Sequence, residues 1–220
     1  MKVDILVPTS LQEINLEQYQ KYERLNTKEN QNSAFLLHKL VEIFCNLELK
    51  NVAKIKYSYV KDIAEDLDKL FSEDIPLVKT FILDNKKFGF IPVLDEMSFG
   101  EYIDLDSTIS DWEQMHKALA VLYRPIIEES GDRYKIEDYE GDKYADIMKK
   151  APLDVVFGSL VFFYNLGMEL FQITLNYLQK ELMQEMTIPQ RQILEENGVS
   201  INQFTHSLKE MLPNSIRLRL

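Results

Sequence analysis

The 220-residue chain has one cysteine, seven glycines and no familiar catalytic signature. A single thiol, Cys45, closes no internal disulfide, so the fold does not rest on oxidation. Cys45 lies in the apolar helical stretch "LLHKLVEIFCNL" with no His or Asp cluster around it, and reads as a buried structural residue. His38 stands seven residues earlier, about 10 Å along a helix, too far for a thiolate–imidazole pair. Neither a Walker-type phosphate loop nor a dinucleotide fingerprint is present, and Gly-x-Ser-x-Gly is missing too. The expectation is a non-enzyme with no cofactor and no metal.

Positive charge is also short. Lys and Arg number 25 against 36 Asp and Glu, giving a net charge of −11 and a pI near 4.8. Phosphate binding needs a basic footprint, so a protein that coats nucleic acid is disfavoured. The most apolar segment, "VVFGSLVFFYNLGMELF" at 155–171, has only 14 uncharged residues between Asp154 and Glu169. A membrane span needs roughly 20, and Asn165, Gln172 and Asn176 would have to be satisfied inside lipid. It reads as a central core helix. "MKVDILVPTS" has neither a basic start nor a long apolar core, so no signal peptide is expected. A soluble, cytoplasmic protein without a membrane partner follows.

What is present is ordinary globular composition, 45% hydrophobic and 28% charged. One template also occurs twice: "LQEINLEQY" at Leu11–Tyr19 and "LDEMSFGEY" at Leu94–Tyr102, each after an apolar run with a proline. The spacing predicts two similar turns from strand to helix, with Asn or Ser as cap and the Tyr one turn in, facing the core. Capping boxes are expected at Ser10–Glu13, Asn15–Gln18, Ser98–Glu101 and Ser110–Glu113.

Alternation over Val3–Val7 predicts a short strand stopped by Pro8. Helices are predicted at about Leu16–Leu25, from Ser33 to about Leu47, and at Tyr59–Phe71 with Ser58 as cap. "KTFILDNKKFGFIPV" reads as a hairpin over 79–91 with a four-residue loop, Asp84 to Lys87. The helix "DWEQMHKALAVLY" is ended by Pro125, and Glu128–Lys150 reads as a crossing loop with a short helix near Tyr144–Lys149. Pro152 opens a long helix, Leu153–Met186, after which Pro189, Gly198 and Ser200 predict two short helices.

Several groupings could carry chemistry. Asp95, Glu96, Glu101, Asp104, Asp106 and Asp111 are dense in carboxylate, with His116 nearby. They lack the order of a calcium loop, and a solvated acidic face is the plainer reading of them than a divalent-metal site around Asp104 and His116. Arg124, between an alanine-rich helix and Pro125, fits a C-terminal cap or an ion pair with Asp104 or Asp106 that locks two segments; it also fits a docking anchor. Ile193–Leu212 has the outline of a helix-turn-helix, with Asn202, Gln203, Thr205 and His206 on its second helix but only Lys209 as a cation. A helical hairpin docked on a neighbour is the plainer reading.

Taken together, "EINLEQYQKY", "FGFIPVLDEMSFGEYIDLD", "DWEQMHKALAVLYRPI" and "APLDVVFGSLVFFYNLGMEL" resemble a family of tailed-bacteriophage proteins from Bacteroidetes phages, including crAss-like phages, and from marine phages. The likeness runs from about Val3 to Leu178. The shorter "FGEYIDLD … AVLYRP" is similar to segments of phage tail assembly chaperones. The resemblance implies a virion morphogenesis protein without catalytic residues; Thr187–Leu220 lies outside it.

The combined expectation is a mostly helical α+β domain over 1–186. It has a small antiparallel sheet (an N-terminal strand plus the hairpin near 79–91) and a long central helix at about 153–186. Residues 187–220 are expected as a short helical extension that makes inter-subunit contacts. The expected function is non-enzymatic: a head–tail or tail ring or connector component, or else a tail assembly chaperone absent from the mature particle. A DNA-binding regulator is the remaining alternative. Expected partners are portal, connector or tail proteins and other copies of the chain in a ring, in the virion or the infected host's cytoplasm. The expected contact surface is Phe99, Glu101, Tyr102, Asp104, Asp106, Trp112, His116 and Arg124.

Overall fold

A computed structural model describes residues 5–31, 33–72, 75–185 and 188–212, without the side chains of 174–191, 194 and 195. Helices α1 (Leu16–Glu23), α2 (Ala34–Phe44), α3 (Leu49–Val52) and α4 (Tyr57–Leu70) precede a hairpin of β1 (Thr80–Leu83) and β2 (Lys86–Phe90). Next come α5 (Phe99–Thr108), α6 (Met115–Leu122), β3 (Tyr123–Ser130), β4 (Arg133–Ile136) and α7 (Ala145–Met148). Two long helices follow, α8 (Leu153–Glu185) and α9 (Ile188–Met211). The architecture is α+β and mostly helical, with a four-stranded antiparallel sheet in the order β1-β2-β3-β4.

The two copies of the repeated segment share one local structure. Each begins with a turn of 3-10 helix, Leu11–Glu13 or Leu94–Glu96, and then enters α1 or α5 through a complete capping box. The Gln18 N–H donates to Asn15 Oδ1 at 2.9 Å, and the Asn15 N–H donates back to Gln18 Oε1 at 3.0 Å. At the second copy the Glu101 N–H donates to Ser98 Oγ at 3.3 Å, and the Ser98 N–H to Glu101 Oε2 at 2.7 Å. Each box satisfies two N–H groups at the helix start, one in the helix and one at its cap.

The other two expected boxes do not form. Thr9 rather than Ser10 bonds Glu13, and Asp111 Oδ1 takes the Glu113 N–H at 2.9 Å ahead of α6. Ser58 is no cap either, because α4 starts one residue before it.

Beyond their caps the copies diverge. The first leans on the start of α8, where the Leu16 N–H donates to the Ala151 carbonyl at 2.9 Å and the Leu153 N–H to the Ile14 carbonyl at 2.8 Å. Its Tyr19 is buried between Trp112 and Phe157, with ring centres 4.7 and 5.1 Å away. The second copy hangs from β2, and its Tyr102 faces outward.

The sheet corrects three expectations. Val3 and Asp4 lie outside the described residues, and Ile5–Pro8 is not a strand. The β1–β2 loop has two residues rather than four: Leu83 pairs with Lys86, while Asp84 and Asn85 both take positive φ, as a type I′ turn requires. The remaining strands come from Tyr123–Ile136, expected as a helix end and a loop. Pro125 does stop α6, but it then sits in β3. It lies where the ladder with β4 ends, accepting the Glu137 N–H at 2.9 Å, so its missing N–H leaves only that last pair incomplete. The sheet also needs Gly89, because a Cβ there would stand 2.5 Å from the Tyr134 ring.

The core centres on the first half of α8. Val155, Val156, Phe157 and Leu160 are fully enclosed, and Phe157 meets the rings of Tyr19 and Phe71, while the half-buried Phe162 packs edge-on against Phe90 of the sheet. The buried Tyr123 hydroxyl ties these layers, donating to the Val78 carbonyl at 2.8 Å beside Ser159 Oγ at 3.1 Å. Residues 153–173 are long and apolar enough to cross a membrane, yet more than half of the most apolar window is buried within the protein.

The expected break of 187–220 into two helices is also corrected. Ile188–Met211 is one helix, with Pro189 in its first turn, where an N–H has no intrahelical partner anyway, and Gly198 inside it. It runs antiparallel to α8: Thr205 packs on Gly167, and the Lys209 ammonium lies 5.7 Å from the Tyr164 ring centre. Met186, the expected end of α8, Thr187 and Pro213–Leu220 lie outside the described residues.

Candidate functional site

Helix α5 is amphipathic in an inverted sense. Its inward positions are Glu101, Leu105 and Thr108, all buried. Its outward positions include Phe99, Tyr102 and Ile103, with 78%, 58% and 47% of their surfaces exposed. Phe99, Tyr102, Ile103 and Asp106 follow i, i+3, i+4, i+7 and so share one face. Asp95, Glu96 and Asp104 are exposed at the same end of the molecule's sequence order, on the preceding turn and on α5 itself. An apolar stripe edged by carboxylates results.

A buried carboxylate at the inward position needs a partner, and it has one. Glu101 Oε1 accepts from Arg124 Nη2 at 2.6 Å, with the two side chains only 7% and 8% exposed. Its other oxygen holds the Ser98 N–H, so one residue caps α5 and bolts it to β3. Burial alone would raise the Glu101 pKa, but the Ser98 hydrogen bonds and the Arg124 charge outweigh it and hold the carboxyl below its usual range. Arg124 Nε is buried without a hydrogen-bond partner.

The ion pair borders a cleft of about 580 Å³ lined by Pro92, Met97, Tyr134, Lys135 and Tyr139 among others. Tyr139 donates its hydroxyl to Asp104 Oδ2 at 2.5 Å, and its ring centre lies 5.7 Å from the Arg124 guanidinium carbon. Burial and then Asp104 raise the Tyr139 pKa, so the phenol stays protonated and donating.

The expected contact surface therefore divides. Phe99, Tyr102, Asp104 and Asp106 are exposed on α5. Glu101 and Arg124 are internal, and Arg124 pairs with Glu101 rather than with Asp104 or Asp106. Trp112 belongs to the aromatic cluster of Tyr19 and Phe157, and its carbonyl accepts from Gln20 Nε2 at 2.6 Å. His116 is half-buried with Nδ1 enclosed, and burial, Lys149 and Lys117 lower its pKa. Sequence reasoning missed Ile103, which completes the stripe, and Tyr139, which braces Asp104. Ile103 was signalled by its spacing from Phe99; Tyr139, 35 residues from Asp104, had no local signal.

Among the described residues no three His, Cys, Asp or Glu side chains are grouped to hold a metal ion. Cys45 is buried, and desolvation pushes its thiol up to about 11, the opposite of an activated nucleophile. The turn that a DNA-reading helix-turn-helix would need near Gly198 is replaced by continuous α9. Comparison with known proteins found no matching family model, no matching curated protein and no matching solved structure.

Proposed function

We propose that this protein acts without catalysis, through protein–protein contact, in the assembly of a tailed-phage particle, as a head–tail or tail ring or connector subunit. The observation that carries a contact role is the outward stripe of Phe99, Tyr102 and Ile103 on a helix whose inner face holds a carboxylate. Large apolar side chains grouped on one exposed face mark interaction sites more often than scattered ones do. The surrounding carboxylates and the net charge of −11 favour a partner that offers apolar side chains within a basic rim. The phage context is supported by the resemblance of the four blocks between Val3 and Leu178. A closed ring is the usual way such a subunit repeats one contact.

Quantitative mass spectrometry of purified particles beside crude infected lysate tests this. A small fixed copy number relative to the portal protein is the expected result. Abundance in lysate with absence from particles makes the chain an assembly chaperone instead. Absence of any infecting phage from the source organism removes the phage reading altogether.

A further inference from the structure

The N-terminal helices carry a surface patch of the opposite charge to α5. Residues 49–61, "LKNVAKIKYSYVK", hold four lysines and no acidic residue in a chain of net charge −11. They form α3, a short link and the start of α4. Val52 and Val60 are buried and Ile55 is partly buried, which turns the basic and aromatic positions outward. Lys50, Lys54, Lys56 and Lys61 are all exposed, and Tyr57 and Tyr59 among them are each more than half exposed. The Lys61 ammonium lies 5.2 Å from the Tyr57 ring centre, and the Lys56 ammonium 5.8 Å from that of Tyr59. Lys50 pairs with Glu48, but among the described residues Lys54, Lys56 and Lys61 form no ion pair.

The α5 surface is the counterpart. Asp95, Glu96 and Asp106 are exposed around Phe99, Tyr102 and Ile103, and no lysine or arginine occurs between Lys87 and Lys117. Among the described residues these three carboxylates also have no ion-pair partner. One patch is aromatic with free cations, the other apolar with free anions. Tyrosine is enriched at protein interfaces, and charges of opposite sign around such a centre fix partner and register. Within one molecule the two patches stand on different elements, α4 packing on α2 and α5 on α6. A second molecule brings them together.

We propose that the α5 stripe of one copy docks on the α3–α4 patch of a second copy, with Phe99, Tyr102 and Ile103 against Tyr57 and Tyr59 and with Asp95, Glu96 and Asp106 facing Lys54, Lys56 and Lys61. This names the partner of the α5 surface and rests on reading that stripe as a contact surface, not on the phage context. The two faces differ, so the contact is head-to-tail. Each pair leaves one face of each kind open, which further copies fill until a ring closes. Exposed charges carry part of the contact, so salt weakens it.

Sedimentation velocity of the full-length protein tests the contact. Wild type is expected to associate with rising concentration at low salt and to dissociate as salt is added. Lys54→Glu/Lys56→Glu reverses one face, and Asp95→Lys/Asp106→Lys reverses the other. All four side chains are exposed, so both variants are expected to melt as wild type does. Each alone is expected to weaken association at least about tenfold, because like charges then face each other. Mixed in equal amounts and alternating, the two variants present opposite charges at every contact, and association is expected to return. No return on mixing, or a wild type that stays monomeric to its solubility limit at low salt, overturns the proposal. So does a monomer whose lysine patch binds a single-stranded oligonucleotide, the other class of partner that lysines among tyrosines fit. Particle composition separates this contact from the virion role. Association restored by mixing, with the chain absent from particles, keeps the contact and removes the role; presence in particles without self-association does the reverse.

Discussion

Removing the guanidinium of Arg124 strands the Glu101 carboxylate in the protein interior. Both side chains are more than nine-tenths buried and 2.6 Å apart, so Arg124→Ala is expected to cost about 3–5 kcal/mol in urea unfolding. The cost is that of an uncompensated buried charge, and it exceeds the net worth of the pair. Arg124→Met with Glu101→Gln together should recover part of the loss, since the capping bond to the Ser98 N–H survives in a Gln. The same pair sets a pH dependence. The folded Glu101 pKa lies below its usual value, so between the two values the unfolded chain binds the extra proton and stability rises with pH. Its contribution is complete above about pH 4.5 and is lost as pH falls through the folded value. Urea midpoints measured between about pH 7 and about pH 3 should fall less in Glu101→Gln than in wild type. An equal fall in both proteins would mean that other carboxylates carry the acid sensitivity.

At the scale of elements, α5 is predicted to separate stability from contact. Tyr102→Ala and Ile103→Asp alter side chains that are about half exposed and outside the core, so each should shift unfolding by no more than about 1 kcal/mol while sharply reducing incorporation into particles. Arg124→Ala cannot serve this test, because it damages the fold first. Wild-type incorporation of both folded α5 variants would remove the stripe as the contact surface. Phe99 and Tyr102 of this stripe were legible in the sequence but Ile103 was overlooked, and spacing alone could not say which face is inward. Phe99, Tyr102 and Ile103 have the spacing of a core face, but the opposite face carries buried Leu105 and Ile109 and the Glu101–Arg124 pair, 23 positions apart in sequence, and it is that face which turns inward. The capping boxes at Asn15 and Ser98 and the β1–β2 hairpin were readable because their signals are local. Strands β3 and β4 were not: "YRPIIEES" follows a helix, contains a proline and ends in acidic residues, and pairing with β2 and β4 decides its state. Helix α9 was misread at Gly198, where a helical penalty of roughly 1 kcal/mol is outweighed by packing along α8.

Across the whole molecule, α8 joins two unequal regions. Its 33 residues make a rod about 50 Å long, continuous from the central core to its pairing with α9. From Val155 to Tyr164 nearly every position is enclosed by the sheet or the N-terminal helices. Farther along, Gly167 is buried against Thr205, and then Leu170 and Ile173 are 46% and 57% exposed. Local opening needs least free energy where few apolar contacts are broken, so opening should begin at the far end of this helix and advance toward the core. Native-state hydrogen exchange along α8 should therefore show a gradient. Amides from Val156 to Leu160 should exchange only through global unfolding, with a denaturant dependence equal to that of the whole protein. Those beyond Leu170 should exchange faster and with little denaturant dependence. A variant that weakens the α8–α9 contact without touching the core, Thr205→Asp, should accelerate the second group and leave the first in step with global stability. Uniform protection from Val156 to Ile173 would instead make the two long helices part of one cooperative unit with the core.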